Sequence, residues 1–434
     1  MPLLDVDRDL TRHSYYAATA PREASFPPLQ GEVTADVAVV GGGLAGLSAA
    51  IELHDRGFDV VLLEAQQVGW GASGRNGGQA IHGLACDQGV IEAQLGLDEA
   101  KRVWAMSIEA LDLIRQRIAR FGIDCDWRDG YLAVATSERK ARELKDGVER
   151  LERVYGYAQA YIARDELPRW LASPRYVAGA HDPRSGHLHP LKYSLGLARA
   201  AAALGVRVYE HSAVTRLDAG APAVLHTAQG RVTAERVLLA GNVYLQQFAP
   251  AVAPHLAARI MPVGTYIVAT PPLGVERAAA LIPSDCAVCD TNFVLDYFRR
   301  SADHRLIFGG RVSYSTATPM NLAAAMRKRM VQTFPQLADV DVEYAWGGFV
   351  DISMNRAPDF GRVGANVYYL QGFSGHGLAL TGLAGRLVAE AIDGDASRFD
   401  TFARLKHRNF PGGRLLRMPA LVAGMAWYRL RDLF

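Results

Sequence analysis

The chain has 434 residues, of which 50% are hydrophobic, so it can bury a large core, and its length indicates two domains. Lysine and arginine number 47 against 45 aspartates and glutamates, for a formal net charge of +2, and no extended basic block is present. This balance argues against a protein that binds the phosphate backbone of nucleic acids.

Neither a secretion signal nor a membrane span is expected. The first 29 residues lack the basic-then-apolar order of a signal peptide, and no apolar run approaches the roughly 18 residues that cross a bilayer. The cysteines are few for a chain of this length, as is usual in a reducing compartment. We therefore expect a cytoplasmic protein.

The first predicted elements form a βαβ unit. Residues 36–40 form a short apolar strand, and 41–57 have the small-residue pattern of a helix that ends at Gly57. A second strand follows at 59–64 and ends in an acidic residue, Glu64.

The glycines that open this helix have the G-x-G-x-x-G spacing of a dinucleotide-binding turn. Gly41 permits the tight turn, Gly43 lets a pyrophosphate approach the backbone, and Gly46 lets helix and strand pack closely. Glu64, about 20 residues further on, supplies a carboxylate for ribose hydroxyl groups. The motif alone does not distinguish NAD from FAD.

The segment after Glu64 favours FAD. An NAD-binding fold would continue with another helix and strand, whereas this chain continues with the loop GWGASGRNGGQ at 69–79. Backbone N–H groups and short polar side chains in such a loop can follow an extended cofactor from its ribose to its reactive ring.

The remaining segments indicate a second domain that interrupts the first. Helical periodicity marks 99–121 and 137–156, a helix and strands follow from 195, and 236–242 form a strand that runs into glycine. Alternating apolar positions predict antiparallel strands at 261–269, 292–298, 305–312 and 342–350. The segment 367–393 returns to strand, glycine turn and helix.

Motifs along nearly the whole chain resemble the FAD-dependent amine and amino-acid oxidoreductases of the D-amino-acid-oxidase type, which include glycine and sarcosine oxidases. The motifs are HSYYAAT, GWGASGRNGGQ, SGHLHPL at 185–191, SAVTRL at 212–217, LLAGNVYL at 238–245, LDYFRRSADHRLIFGGRVSY at 295–314, GFSGHGLALTGLAGRLVAE at 372–390 and FPGGRLLRMP at 410–419.

Together, these features predict an α/β fold with an α+β second domain: a Rossmann-like FAD-binding domain that carries an inserted antiparallel-sheet substrate domain. The predicted bounds are 30–98, 170–245 and 352–395 for the FAD-binding domain, 99–169 and 246–351 for the substrate-binding domain, and 396–434 for a C-terminal extension. The tail of this extension is amphipathic and is expected to be a packed helix or, alternatively, a peripheral contact with a membrane or partner.

The resemblance also implies the residues that bind FAD. These are Gly41, Gly43, Leu44, Ala45, Gly46, Glu64, Ala65, Gly71, Ala72, Ser73, Arg75, Asn76, Gly77, Gly78, Gln79, Val214, Ala240, Gly241, Gly372, Ser374, Gly375, His376, Gly377 and Leu378. The turn at 372–377 would lie beside the flavin N1–C2=O edge, where a helix N-terminus stabilises the charge of the reduced ring. Some relatives attach FAD through a histidine or a cysteine, but 65–81 contain no histidine, so non-covalent FAD is predicted.

Four residues are candidates for contact with the reacting groups. His376 would touch flavin or substrate, Lys192 would assist reduction of O2, and Trp346 and Tyr266 would form an aromatic wall around the amine. For the two aromatic residues, packing in the core is an equal alternative.

Other residues invite a role in metal binding. His187 and His189 are two residues apart but lack an evident third ligand, so they are expected to line a turn or pocket. Cys286 and Cys289 have C-x-x-C spacing but no second pair, and buried inert thiols are the expectation. No metal site is predicted.

The expected substrate class follows from the absence of two arginines that are common in the resembled family. Amino-acid oxidases of this type clamp the substrate α-carboxylate with arginines, whereas this chain has Gly375 and Val350 at two corresponding positions, with Arg356 a candidate substitute. An amine whose charged end lies farther from the flavin is therefore favoured, such as a γ-glutamylated diamine. Hydride transfer to flavin N5 and reoxidation by O2 would give aldehyde, ammonia and H2O2.

Three alternatives stay open. A secondary-amine or cyclic imino-acid dehydrogenase would pass electrons to a quinone, with the tail as its membrane contact. An NAD-dependent reductase is disfavoured because no second nucleotide cradle is present, and a tRNA-modifying flavoprotein is disfavoured by the near-neutral charge. The oligomeric state is not predicted.

Overall fold

The structure is a computed structural model that describes residues 14–411 except 24, 293 and 314–320. The amphipathic tail predicted within 396–434 begins beyond residue 411 and lies outside the described residues. Within the described part, no helix combines the length and the apolar character that crossing a bilayer requires.

The described strands fall into two sheets. They are β1 (Gly31–Val40), β2 (Val60–Leu63), β3 (Gln79–Ala80), β4 (Arg128–Ala135), β5 (Ala160–Ile162), β6 (Ala178–His187), β7 (Arg207–Tyr209), β8 (Arg216–Asp218), β9 (Ala223–His226), β10 (Gly230–Leu239), β11 (Ile260–Ala269), β12 (Ala287–Asp290), β13 (Tyr297–Arg300), β14 (Leu306–Ser313), β15 (Tyr344–Ser353), β16 (Asp359–Val363) and β17 (Val367–Gln371).

The helices vary from a single turn to seven turns. They are α1 (Tyr15–Thr19), α2 (Leu44–Asp55), α3 (Gln88–Leu95), α4 (Leu97–Phe121), α5 (Glu138–Tyr155), α6 (Pro190–Leu204), α7 (Leu245–Phe248), α8 (Val275–Leu281), α9 (Leu322–Thr333), α10 (Gly377–Asp393) and α11 (Ser397–Ala403). Short 3₁₀ turns occur at Ala72–Gly74, Leu167–Arg169, Asn242–Tyr244, Leu256–Ala258 and Pro335–Leu337.

The first sheet has the predicted nucleotide-binding topology. Its strand order is β16-β17-β10-β1-β2-β7, and the pairs from β17 to β7 are parallel. Val40 pairs with both Leu63 and Leu239, so β1, β2 and β10 end at the same edge. In open α/β sheets, ligands bind at this carboxyl edge.

The second sheet is mainly antiparallel, as predicted, and has the order β15-β11-β14-β13-β12-β4-β6-β3. One predicted strand is wrong in its bounds, because 292–298 contain a turn between β12 and β13. The carboxylate of Asp290 accepts hydrogen bonds from Asn292 N and Nδ2 at 3.0 and 2.8 Å. Such Asx interactions end strands and form turns.

Two strands of the second sheet arise from segments predicted for the FAD-binding domain. β6 pairs with β4 along most of its length, and β3 pairs with β6 through Gln79 and His187. The long-range pairing of these strands is not visible in their local pattern. The domain bounds given above remain a prediction.

Helices cover the first sheet and bring its edge together with the C-terminal part of the chain. α10 packs against α2 at Gly385, where a Cβ atom would lie 2.5 Å from the backbone N of Ala49. The glycine therefore allows the two helices to approach closely. Leu44 and Gly377, the first residues of the two helices, line the same cavity.

Candidate cofactor and active site

A cavity of about 510 Å³ is lined by residues of both sheets. Gly41, Glu64 and Ala240 come from the carboxyl edge of the parallel sheet, whereas Thr265 and Gly348 come from the antiparallel sheet. Its volume is in the range of ligand and cofactor sites.

The glycine turn at the cavity is shaped by close backbone contacts. Gly41 has a φ of +112°, and a Cβ atom there would lie 2.7 Å from the carbonyl oxygen of Ala240. A Cβ atom at Gly46 would lie 1.9 Å from the Gly41 oxygen. Side chains at these two positions would separate strand, turn and helix, which explains the spacing seen in the sequence.

Glu64 is held at the end of β2 by the backbone. Its Oε2 accepts a hydrogen bond from Gly42 N at 2.6 Å, and its Oε1 accepts one from Gln66 N at 2.8 Å. Burial raises the pKa of Glu64, and these donors oppose that effect. The carboxylate is thus oriented beside the glycine turn.

The loop 69–79 is fixed to this turn. Gly69 N donates to Gly42 O at 3.0 Å, and Leu44 N donates to Ser73 Oγ at 2.9 Å. The second bond satisfies an N–H group at the start of α2 that has no partner within the helix. The loop 69–79 and the glycine turn at 41–46, together called the cradle, are therefore one structural unit.

The asparagine and glycines of the loop make its path compact. Asn76 Nδ2 donates to the carbonyl oxygens of Ala72 and Ser73, both at 3.0 Å, and Asn76 Oδ1 accepts from Gly78 N at 2.8 Å. A Cβ atom at Gly77 would lie 2.6 Å from the ring of Tyr297. These glycines permit tight packing against the second sheet and do not form a flexible linker.

Arg75 joins the same loop to β15 of the antiparallel sheet. Its guanidinium donates to Gly71 O at 3.2 Å, Gly347 O at 3.4 Å and Tyr244 Oη at 3.2 Å. The group also lies 4.8 Å from the centroid of the Trp70 ring, in a cation–π contact. Arg75 thereby fixes one wall of the cavity.

A second glycine turn, at 372–377, faces the cavity and leads into α10. Asp351 of β15 accepts hydrogen bonds from the backbone N–H groups of Gly372 and Phe373, and its carbonyl oxygen accepts one from Ser374 N at 3.1 Å. Burial raises the pKa of Asp351 to about 6. The sequence reasoning missed this residue, although an acid within the apolar run GGFVDIS was a signal.

His376 is the predicted catalytic candidate that lines the cavity. Its Nε2 lies 3.1 Å from the Ile81 oxygen and 2.9 Å from the His82 oxygen, so Nε2 carries the proton and donates. Burial, aided by the charges of His82 and Arg356, lowers the pKa of His376 to about 4. The ring is therefore neutral near pH 7, with Nδ1 unprotonated.

The other three candidates are not among the residues that line the cavity, and their roles stay predictions. Trp346 and Tyr266 are 0% exposed, and Trp346 Nε1 donates to Arg75 O at 3.1 Å. Lys192 Nζ lies 3.0 Å from a carboxylate oxygen of Asp126. Packing places the two aromatic rings in the core, and the ion pair holds the lysine elsewhere.

Most of the predicted cofactor-binding residues do line the cavity. They are Gly41, Gly43, Leu44, Ala45, Glu64, Ala65, Gly71, Ala72, Ser73, Arg75, Asn76, Gly77, Gln79, Val214, Ala240, Gly241, Ser374, Gly375, His376, Gly377 and Leu378. Gly46, Gly78 and Gly372 do not line it but sit where backbones meet closely. Lining residues that were not named from the sequence include Trp70 of the loop 69–79, and Tyr131 and Tyr297. The approach of these two tyrosines depends on the pairing of distant strands.

The histidines and cysteines singled out in the sequence have structural contacts. His187 Nε2 donates to Asp285 O at 2.8 Å, and His189 Nδ1 accepts from Lys192 N at 3.2 Å at the start of α6. Cys286 and Cys289 are buried free thiols. Within the described ranges, no group of three or more His, Cys, Asp or Glu residues could hold a metal ion.

The two positions that lack a clamping arginine have different surroundings. Gly375 has a φ of +83°, a conformation that L-residues with side chains rarely adopt. Val350 lines the cavity as an apolar residue. Arg356, which follows β15, also lines it and is a candidate for anion recognition.

Comparison with known proteins agrees with this site. The family model described as FAD dependent oxidoreductase, DAO, matches residues 36–391. The chain is 46% identical over 426 residues to gamma-glutamylputrescine oxidoreductase of Escherichia coli strain K12, covering 98% of this chain and 99% of that protein. It is 41% identical to the probable oxidoreductase OrdL of Haemophilus influenzae, covering 96% of this chain and 97% of the relative.

The fold also has solved counterparts. Glycine oxidase from Bacillus cereus superposes with a TM-score of 0.70 at 20% sequence identity, and the match covers 86% of this chain and 99% of that chain. At this identity the likeness shows a shared fold. The family match over most of the chain and the full-length relatives show that this chain belongs to the FAD-dependent oxidoreductases of the DAO family.

Proposed function

We propose that this FAD-dependent oxidoreductase oxidises the primary amine of a γ-glutamylated diamine such as γ-glutamylputrescine. The observation that carries the proposal is the 46% identity, over 98% of the chain, to a relative named gamma-glutamylputrescine oxidoreductase. The cavity supports it, because Gly375 and Val350 offer no guanidinium that would clamp an α-carboxylate next to the reacting carbon.

The residues around the cavity fit FAD. A Cβ atom at Gly43 would lie 2.8 Å from Ser73 Oγ, so glycine is the residue that fits at the turn where a pyrophosphate would meet the N-terminus of α2. Glu64 would hold the ribose. We propose that the loop 69–79 and the turn 374–377 hold the ribityl chain and the flavin ring.

FAD, when bound, accepts the hydride equivalent from the carbon next to the amine. The protein itself must hold the amine in its neutral form, since an ammonium group has no lone pair to assist that loss. A cavity walled by groups such as Tyr131, Tyr297 and Val350 favours the neutral amine by removing water. Neutral His376 adds no positive charge that would repel a cationic substrate.

The net reaction consumes one amine, one O2 and one water. The substrate loses two electrons and two protons, water replaces the nitrogen to leave an aldehyde and ammonia, and O2 takes the electrons and protons to form H2O2. The proposal makes O2 the acceptor and places the enzyme in the breakdown of a diamine.

A peroxide-coupled assay of the purified holoenzyme tests the proposal. The compounds are γ-glutamylputrescine, free putrescine, spermidine, glycine, sarcosine and pipecolate under air. We expect H2O2 formation with the highest kcat/KM for γ-glutamylputrescine. Turnover of sarcosine or pipecolate with a quinone dye but without peroxide would contradict the proposal and indicate a dehydrogenase.

A further inference from the structure

A buried carboxylate, that of Asp182, lies at an irregularity of β6. The pairing of β6 with β4 shifts register directly after this residue, where β6 has a bulge. Asp182 is 0% exposed, and its side chain accepts hydrogen bonds from Arg184 N at 3.0 Å and from Ser185 N at 3.2 Å. The bulge therefore holds the carboxylate in a fixed place in the interior.

His82, which follows β3, is anchored to this carboxylate through its ring and through its backbone. Its Nδ1 donates to Asp182 Oδ2 at 2.7 Å, and its backbone N donates to Ser185 Oγ at 2.9 Å. The Ser185 hydroxyl in turn donates to the same carboxylate oxygen. Burial alone would raise the pKa of Asp182, but the hydrogen bonds that it accepts, first that of His82, lower the pKa below its usual range. Asp182 is therefore ionised at pH 7.

The residue after His82 is held by a different element. Gly83 N donates to Ser107 Oγ of α4 at 3.2 Å. Gly83 has a φ of +75°, and a Cβ atom there would lie 3.2 Å from the Trp104 ring. The centroid of that ring lies 5.7 Å from the centroid of the His82 ring. The path of the backbone at 81–83 is thus set by β6 on one side and by α4 on the other.

The carbonyl groups of this segment hold the ring of His376. Its Nε2 donates to Ile81 O at 3.1 Å and to His82 O at 2.9 Å. Ile81 and His376 line the cavity, whereas His82 and Asp182 are not among the lining residues. Because carbonyl oxygens only accept, these two contacts select the tautomer of His376 that has its proton on Nε2. A chain of hydrogen bonds therefore runs from Asp182 through His82 to His376.

We infer that Asp182 and His82 are positioning residues that set the ring orientation and the tautomer of His376. This inference rests on the proposed function, in which the turn 374–377 holds the flavin. In the selected tautomer, Nδ1 is an acceptor for the proton that the substrate ammonium must lose before it is oxidised. Without the anchors at His82, the two carbonyl groups can move away from Nε2, and the tautomer with a protonated Nδ1 becomes accessible.

The variant Asp182→Asn tests the inference in the holoenzyme. The amide keeps the size of the carboxylate but has no charge, and only one of its two polar atoms accepts a hydrogen bond. The readout is the nitrogen spectrum of protein with 15N-labelled imidazole rings, and His376→Gln identifies the signals of His376 among the 12 histidines. We expect a protonated Nε2 and an unprotonated Nδ1 in the wild type, and signals shifted toward the other tautomer in Asp182→Asn.

Turnover separates a positioning role from contact with the substrate. We expect kcat of Asp182→Asn to fall about tenfold, whereas the KM for γ-glutamylputrescine should change less than about twofold. Because Asp182 would act through His376, the double variant Asp182→Asn/His376→Gln should have a kcat within about twofold of that of His376→Gln alone.

The matched control is Glu52→Gln, which neutralises another buried carboxylate. Glu52 lies on α2, accepts hydrogen bonds from Arg117 and Arg386, and is not among the lining residues. This variant should lower the free energy of unfolding but leave kcat and the His376 signals as in the wild type. A loss of stability alone therefore does not reproduce the result expected for Asp182→Asn.

Several outcomes would overturn the inference. Unchanged His376 signals in Asp182→Asn would show that the ring is held without this carboxylate, and additive losses of kcat in the double variant would show that the two residues act separately. If Asp182→Asn does not fold, Ser185→Ala decides, because it removes the bond to the His82 backbone and should shift the His376 signals in the same direction. If the wild type oxidises no amine, the proposed function fails, and the His376 signals still decide the inference.

Discussion

Ser73 Oγ accepts a hydrogen bond from the backbone N–H of Leu44 at 2.9 Å and so fixes the loop 69–79 to the first turn of α2. The two residues are 29 positions apart, and neither side of the contact depends on a bound ligand. The glycine turn and the loop are consequently preorganised as one surface. Preorganisation lowers the entropy that cofactor binding must overcome.

Substitution of Gly43 tests this surface directly. In Gly43→Glu, a Cβ atom would lie 2.8 Å from Ser73 Oγ, and the carboxylate would meet the cofactor pyrophosphate. We expect purified protein without yellow colour, measured as the absorbance ratio at the flavin band and at the protein band. The control is Gly147→Glu on α5, where a Cβ atom meets nothing within 4 Å. Normal flavin content in Gly43→Glu would refute the cradle.

The cradle could be predicted from the sequence because its signals are local. The spacing of Gly41, Gly43 and Gly46 and the distance to Glu64 are fixed by the dimensions of one βαβ unit. In contrast, the contact between Lys192 and Asp126 joins residues 66 positions apart, and no short motif encodes it. A lysine that is expected at the flavin therefore lies in an ion pair.

The same reason explains why the sequence alone does not show whether Trp346 and Tyr266 line the cavity or pack in the core. Trp346 and Tyr266 both lie on strands of the second sheet, and the side of the sheet that each ring occupies depends on strand pairing. Tyr266 pairs with Gly347 in β15, and the register between β11 and β14 shifts directly after it. Such an irregularity changes which residues share a face. Tyr131 and Tyr297, which do reach the cavity, depend on other strand pairs: Tyr131 pairs with β6 and β12, and Tyr297 pairs with Gly309 in β14.

The pH dependence of the unfolding free energy should reveal the raised pKa of Asp351. Burial raises its pKa in the folded protein to about 6 from an ordinary value of 3.8. The folded state thus binds more protons between these values, and this group's contribution to stability is fully present below about 4 and is lost as the pH rises through 6. The loss is about 3 kcal/mol at most.

Urea unfolding of the holoenzyme between pH 4.5 and 7.5 measures this contribution. In Asp351→Asn, the amide oxygen can still accept from the N–H groups of Gly372 and Phe373, but the group no longer titrates. We expect the difference in unfolding free energy between wild type and variant to shift in favour of the variant as the pH rises. A difference that stays constant with pH would contradict the assignment.

His376 should make stability depend on pH in the opposite direction from Asp351. Burial lowers its pKa to about 4 from an ordinary value of 6.5, so the unfolded chain binds the proton first as the pH falls. Its contribution to stability is present above 6.5 and is lost as the pH falls to about 4. His376→Gln can still donate to the oxygens of Ile81 and His82, and it should lose less stability than the wild type over this interval.

The measurement is the unfolding free energy of both proteins at pH 4.5, 5.5 and 6.5. The paired variant His187→Gln serves as a comparison, since His187 is also buried with its pKa lowered to about 3 but lies outside the cavity lining. Both variants should reduce the loss of stability, whereas only His376→Gln should also alter flavin absorbance. An unchanged spectrum in His376→Gln would place its ring away from the flavin.

The attachment of FAD gives the last prediction. Residues 65–81 contain no histidine, and the thiol that lines the cavity is Cys289. Burial raises the pKa of Cys289 well above its usual range, so the group is a thiol at pH 7 and lacks the thiolate that would attack the flavin ring. Acid precipitation should therefore leave the yellow colour in the supernatant, in the wild type and in Cys289→Ser alike. Colour that stays with the wild-type polypeptide and is released from Cys289→Ser would show a covalent bond to this sulfur. It would also require a cation near the thiol that stabilises the thiolate when FAD is bound.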